Sequence, residues 1–188
     1  MKSTNKITEN FKESIFSTMS KKAYEQNAIN LSQGYPDFDG PQWVKEFAKE
    51  MISKGHNQYS PAKGLADIRK NIAKNYHAFY DLNYDFDTQI TVTTGATEAI
   101  FISLLALINP GDEVILFAPY YDSYRASIEL AGGVAVVVDL NPSEFELPLE
   151  KFERAITNRT KAVIMNTPHN PTGKVFSKKS LEDLSRLV

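Results

Sequence analysis

The chain has 188 residues, 42% of them hydrophobic, and a formal net charge of −2. That is enough for one sizeable core, and with no block of Lys and Arg the sequence gives no electrostatic support to a nucleic-acid or anionic-membrane partner. There is no cysteine, which excludes disulfides and thiolate metal sites.

Met1 to Asn10 is polar and lacks an apolar signal core. The longest apolar stretch, Ala99 to Ile108, is about half the length a bilayer requires. These features predict a cytoplasmic protein. Phe11, Ile15, Phe16 and Met19 recur at helical spacing and predict a short N-terminal helix. Ile29 to Gly40 reads as irregular, broken by Gly34, Pro36 and Gly40. Pro41 suits the first position of a helix that carries Trp43, Val44, Phe47, Met51 and Ile52 on one stripe and stops at Gly55. Asn57 to Lys63 reads as a loop. Leu65, Ile68, Ile72 and Tyr76 mark a helix to about Tyr80.

From Ile90 onward strands and helices alternate. The predicted strands are Ile90 to Thr93, Val114 to Phe117, Val134 to Val138 and Ala162 to Met165. The predicted helices are Ala96 to Ile108, Ser123 to Leu130, Leu149 to Ile156, and one beginning near Ser177. Short strands that are apolar on both faces, separated by helices, predict an α/β fold with a mainly parallel sheet and helices on both faces. Function in such sheets sits at the carboxyl ends of the strands.

Three loops there are chemically unusual. Thr94-Gly95-Ala96-Thr97-Glu98 joins a strand to a helix, and the helix start is suited to an anion. By itself the segment also reads as a glycine turn followed by a threonine cap. It is neither a nucleotide P-loop nor a dinucleotide fingerprint. Tyr120-Tyr121 follows a strand and a proline, where an aromatic ring can stack on a flat heterocycle or simply fill the core. Asn166-Thr167-Pro168-His169-Asn170-Pro171-Thr172-Gly173 is the sharpest signal: its prolines stiffen an extended turn in which the Asn170 amide can be held as a fixed donor. His169 invites a catalytic or metal role. With three His in the chain and none at ligand spacing, metal binding is not expected. Two further segments, Leu31 to Phe38 and Asn57 to Pro61, read as turns. The first offers a backbone approach at Gly34.

Taken together, these segments resemble the class I/II aminotransferases of pyridoxal-phosphate fold type I. The match rests on the order and spacing of Leu31 to Phe38, Asn57 to Pro61, Thr93 to Glu98, Gly111 to Val114, Pro119 to Tyr124 and Asn166 to Phe176. Ser32 to Pro41 and Tyr121-Asp122-Ser123-Tyr124 look most like the subgroup of methionine aminotransferases and kynurenine/glutamine transaminases. The resemblance implies residues 1–45 as an N-terminal arm of a small domain and 46–188 as the first part of a large cofactor-binding domain. It implies pyridoxal 5'-phosphate, with its phosphate held by Gly95, Ala96 and Thr97, its ring stacked on Tyr121 and its phenolic oxygen bonded by Asn170. Tyr59 would reach the phosphate of the other subunit of a homodimer. Gly34 and Asn170 would meet the substrate carboxylate, and Phe16 and Tyr35 would line the side-chain pocket. An aromatic pocket of this kind favours large apolar or thioether amino acids over dicarboxylates.

The same resemblance implies a Schiff-base lysine, an Asp for the pyridine nitrogen, a second Tyr and a carboxylate-clamping Arg, all of which would fall beyond Val188. Lys174, Lys178 and Lys179 do not fit the lysine's role, so no residue of the chain is assigned as catalytic. The chain also ends inside an apolar helical period, and the expectation is a fragment of a longer protein that folds poorly by itself. Two other readings stay open: a C–S β-lyase or aminocyclopropane-carboxylate-synthase-like enzyme on the same fold, and a non-catalytic regulatory domain, although no helix-turn-helix segment is present.

Overall fold

The computed structural model describes residues 5–11, 13–34 and 36–188. The chain forms two compact units, one of Ile15–Thr94 and the other of Gly95–Val188 with the segment before Ile15.

The larger unit is built on a parallel sheet of three strands, β1 (Glu113–Ala118), β2 (Val134–Asp139) and β3 (Thr160–Ile164), in the order β2-β1-β3. β1 is central. Ile115 pairs with Val136 on one side and Val163 on the other. It is buried from Glu113 to Phe117, which explains the unbroken apolar run Val114-Ile115-Leu116-Phe117. Because successive side chains point to opposite faces, this one strand feeds two cores. Ile115 and Phe117 join Val138, Leu140, Leu147, Phe152, Phe176 and Leu184 beneath α6 (Leu149–Ala155) and α7 (Lys178–Ser185). Val114 and Leu116 join Leu104, Ile108, Tyr124 and Ile128 beneath α4 (Gly95–Leu107) and α5 (Ser123–Leu130). Helices therefore cover both faces, as the alternating sequence pattern predicts.

The amino end of the sheet is pinned by charge. Glu113 is buried and accepts from the Thr157 hydroxyl at 2.6 Å and from Arg159 Nε at 2.9 Å. The Thr157 hydroxyl foremost, and then Arg159, hold its carboxyl below the usual carboxylate range. α7 begins as expected, with Ser177 accepting from the Ser180 N–H at 3.1 Å.

The smaller unit carries α1 (Ile15–Glu25), α2 (Gln42–Ser53) and α3 (Ala66–Tyr80). All three helices are where periodicity predicts them. Phe11, however, lies outside α1, at the end of a 3-10 turn over Thr8–Asn10. One expectation is corrected. Ile90 to Thr93 forms no strand: the Val92 N–H goes to the Lys63 carbonyl at 3.0 Å rather than into a ladder. A strand exists only through a partner, and β propensity alone does not supply one. The apolar stripes of α2 and α3 are also largely exposed at Trp43, Phe47, Ile52 and Ile68, and the buried residue of α3 is Arg69.

Candidate functional site

β1 ends at Ala118 and leads through Pro119 and Tyr120 to Tyr121. Tyr121 is half-buried, packed with Tyr120 against the core shared by α4 and α5. Its carbonyl accepts from the Tyr124 N–H at 3.0 Å, and the Tyr124 ring meets its ring edge-on, with centroids 5.7 Å apart at 78°. Burial pushes the Tyr124 phenol above its ordinary value, and the neighbouring Tyr121 adds to the shift. The two rings meet in a geometry aromatic pairs prefer, which orients the plane of Tyr121.

β3 ends at Ile164, opposite Leu116 of β1, and leads into the proline-bearing loop. The loop is closed by its own backbone: the His169 N–H donates to the Lys174 carbonyl at 2.8 Å, and the Gly173 N–H to the His169 carbonyl at 2.7 Å. Side chains brace it further. Asn166 Nδ2 donates to the Pro168 carbonyl at 3.2 Å, the Phe176 N–H to Thr167 Oγ1 at 3.2 Å, and Lys174 forms an ion pair with Glu146. Gly173 has φ +72°, which permits the reversal.

His169 is 3% exposed. Its Nδ1 lies 2.9 Å from Thr172 Oγ1, its ring lies against the backbone of Phe117, and it meets the Phe176 ring edge-on with centroids 5.9 Å apart. Burial pushes its pKa below 6.5, against a smaller upward pull from the Phe117 carbonyl. Its contact with Thr172, its burial and its packing on Phe176 make His169 an anchor of the loop. Asn170, the next residue, is exposed at the turn. No His, Asp or Glu cluster placed to hold a metal occurs among the described residues.

α4 opens at Gly95 with φ +82°, and no atom lies within 4 Å of where a Cβ would stand. Ala96 and Thr97 form its exposed first turn. The first N–H groups of a helix have no intrahelical partner and carry the positive end of the dipole. Through Leu104 and Ile108 this helix packs on the same core as Tyr121. Sequence reading missed Ser123: its Oγ is buried without a hydrogen-bond partner at the first turn of α5. Its place two residues after Tyr121 was the available signal, but a serine opening a helix reads first as a cap.

The remaining predicted residues belong to the smaller unit. Phe16 is half-buried on α1. Gly34 is exposed, with no atom within 4 Å of its Cβ position, and follows a side-chain network. In that network Asn30 Nδ2 donates to Ser20 Oγ at 2.9 Å, and the Ser32 N–H to Asn30 Oδ1 at 3.0 Å. Tyr59 stands fully exposed on its loop. Tyr35 lies outside the described residues. Lys174 is occupied by Glu146, and Lys178 and Lys179 face solvent on α7.

The arrangement offers a helix start suited to an anion, a fixed aromatic face and an exposed amide, each at a strand or helix end of one unit. The family model "Aminotransferase class I and II" matches residues 26–188. The chain belongs to the class I and II aminotransferases. Enzymes of this family depend on pyridoxal phosphate.

Within that family the methionine aminotransferase of Escherichia coli K12 is 44% identical over 174 residues, covering 93% of this chain and 45% of that protein. A probable kynurenine–oxoglutarate transaminase of Saccharomyces cerevisiae is 42% identical over 171 residues, covering 85% of this chain and 38% of its own length. A crystal structure of an Escherichia coli protein with methionine aminotransferase function superposes with a TM-score of 0.94 at 39% identity, over all of this chain and 49% of the other. The chain spans about half the length of these aminotransferases or less. The solved structure is of pyridoxal-phosphate fold type I, which the parallel sheet and its two helical layers match.

Proposed function

We propose that the full-length protein transfers an amino group between an amino acid and a 2-oxo acid with pyridoxal phosphate, and that this chain supplies the phosphate and ring contacts. The observation that carries the reading is that Tyr121 and Asn170 follow the carboxyl ends of adjacent parallel strands, with His169 of the second loop buried against the backbone of the first strand. The residues present suit the cofactor: the open space at Gly95, at the exposed first turn of α4, admits a phosphate.

In this reading the first turn of α4, with Gly95, Ala96 and Thr97, binds the phosphate. Tyr121 presents its face to the pyridine ring and excludes water from it. Asn170 donates to the phenolic oxygen and meets the substrate carboxylate. Tyr59 reaches the phosphate of the second subunit of a homodimer, and the exposed stripe Trp43, Phe47 and Ile52 is consistent with such burial. Gly34 meets the substrate carboxylate, and Phe16 and Tyr35 line the side-chain pocket. When bound, the cofactor supplies the aldehyde that receives and returns the amino group. The lysine that anchors it is assigned to none of Lys174, Lys178 and Lys179. Residues 1–45 are read as an arm of the small domain and 46–188 as the start of the large one. The absence of cysteine fits a cytoplasmic location.

For substrates, we favour methionine, aromatic or glutamine-like donors, since a relative named for methionine is 44% identical over 93% of the chain and one named for kynurenine is 42% identical over 85% of it. The test is an assay of the full-length protein with methionine, kynurenine, glutamine and cystathionine, alongside cofactor affinity of Asn170→Ala and Tyr121→Ala. Amino transfer with methionine or kynurenine, and weaker cofactor binding in both variants, is the expected result. Release of thiol from cystathionine without amino transfer would establish the lyase instead.

A further inference from the structure

We propose that Arg69 is a positioning residue that acts on the cofactor phosphate through the Tyr59 loop. The inference rests on the reading that Tyr59 is a phosphate contact. Arg69 is 7% exposed, although it lies on a helix whose neighbouring apolar residues face solvent. A buried guanidinium must satisfy its donors, and this one does so with backbone. Nε donates to the Gly64 carbonyl at 3.2 Å, and Nη1 donates to the Phe86 carbonyl at 2.6 Å and to Asp87 Oδ1 at 3.2 Å. The guanidinium also stands 5.6 Å from the centroid of the Phe86 ring.

These contacts make Arg69 a staple between the end of the Tyr59 loop and the segment around Asp87. Lys63 reinforces the staple. Its Nζ donates to the Asp87 carbonyl at 2.9 Å, and its own carbonyl accepts from the Val92 N–H at 3.0 Å. Gly64 closes a turn by donating to the Pro61 carbonyl at 2.8 Å. It holds φ +88°, and a Cβ there would stand 2.7 Å from Val92 Cβ. The other end of the loop is fixed to α2, where the His56 N–H donates to the Met51 carbonyl at 3.0 Å. A loop sewn at both ends thus carries at its crown a tyrosine that touches nothing close enough to bury it. Surface loops do not ordinarily recruit a buried arginine, whereas a side chain that must meet a ligand at a set distance needs a rigid base.

The full-length protein, purified with pyridoxal phosphate, provides the test. Cofactor dissociation constants and the melting temperature of the cofactor-free form are measured for Tyr59→Phe, Arg69→Lys, Arg69→Gln, Lys63→Met and the Tyr59→Phe/Lys63→Met double variant. Lys63 is exposed, so its variant decides the matter even where Arg69→Gln does not fold. The expected result is about tenfold weaker cofactor binding in Lys63→Met with a retained melting temperature, at least as large a loss of cofactor binding in Arg69→Gln, and no further loss in the double variant. Arg69→Lys, which keeps charge but loses the fork, should fall between wild type and Arg69→Gln. A lowered melting temperature with unchanged cofactor affinity, or additive losses in the double variant, would overturn the relay alone. A Tyr59→Phe variant with unaltered affinity would overturn the phosphate reading of Tyr59, and the relay with it.

Discussion

The imidazole of His169 is buried against the backbone of Phe117, bringing the loop after β3 onto the last residues of β1. Two strand ends are thereby held as one edge, with Tyr121 a few residues beyond the first and Asn170 next to the histidine itself. The loop that carries Asn170 is thereby held on the strand that leads to Tyr121, although sequence separates the two residues by about fifty positions.

Replacing His169 by alanine removes a buried ring together with its contacts to Thr172 Oγ1 and to the Phe176 ring. The expected loss of stability in the full-length protein is about 1–3 kcal/mol, read by urea denaturation. Cofactor affinity should fall as well, because Asn170 loses its anchored neighbour. His169→Asn, which keeps an N–H donor, should recover part of both.

Acid should destabilise the protein through this residue. Above pH 6.5 the histidine is neutral in both the folded and unfolded chain and contributes no pH dependence. Below 6.5 the unfolded chain takes up a proton that the buried ring resists, so stability falls as pH drops, until the lower folded pKa is passed. Denaturation midpoints measured between pH 8 and pH 5, on the order of the histidine range, should decline in the wild type and flatten in His169→Asn.

Glu113 acts in the same direction at lower pH. Its folded pKa is depressed by Thr157 and Arg159, so its contribution is present above the unfolded carboxylate value of 4.5 and is lost as pH falls through the folded one. Glu113→Gln should lower stability at neutral pH and make the acid limb shallower. Cofactor affinity should be unaffected, since the pin lies at the amino end of the sheet.

Phe152 is fully buried and packs on Phe117 with ring centroids 5.6 Å apart. Phe152→Ala should cost about 3–5 kcal/mol by leaving a cavity beneath β1. At Gly133 a Cβ would stand 2.6 Å from Ile108 Cδ1 and 3.2 Å from the Asp112 carbonyl, so Gly133→Ala should cost about 1–3 kcal/mol by overpacking. Thermal melting of the two variants checks both values.

Most elements were legible before the structure because their signals are local. Val114 to Phe117 is apolar on both faces and could only be an interior strand; Ser123 to Leu130 carries a helical period and ends at paired glycines. The failure at Ile90 to Thr93 has the opposite cause: its residues favour a strand, but the Val92 N–H finds Lys63 instead of a ladder. Arg69 was invisible for a related reason. On α3 the apolar period points to Leu65, Ile68 and Tyr76, which are exposed, while the charged residue between them is buried by backbone carbonyls from two loops.

The sequence by itself determined the alternation of strand and helix, the glycine-opened helix at Gly95, the stiff turn around Asn170 and the family these belong to, since propensity, periodicity and motif spacing act over a few residues at a time. Only the tertiary structure decided that His169 is an anchor, that Arg69 is a staple and that Ser123 has an orphaned hydroxyl. Burial and hydrogen-bond partners come from chain segments distant in sequence, and no local pattern encodes which carbonyl a buried donor will meet.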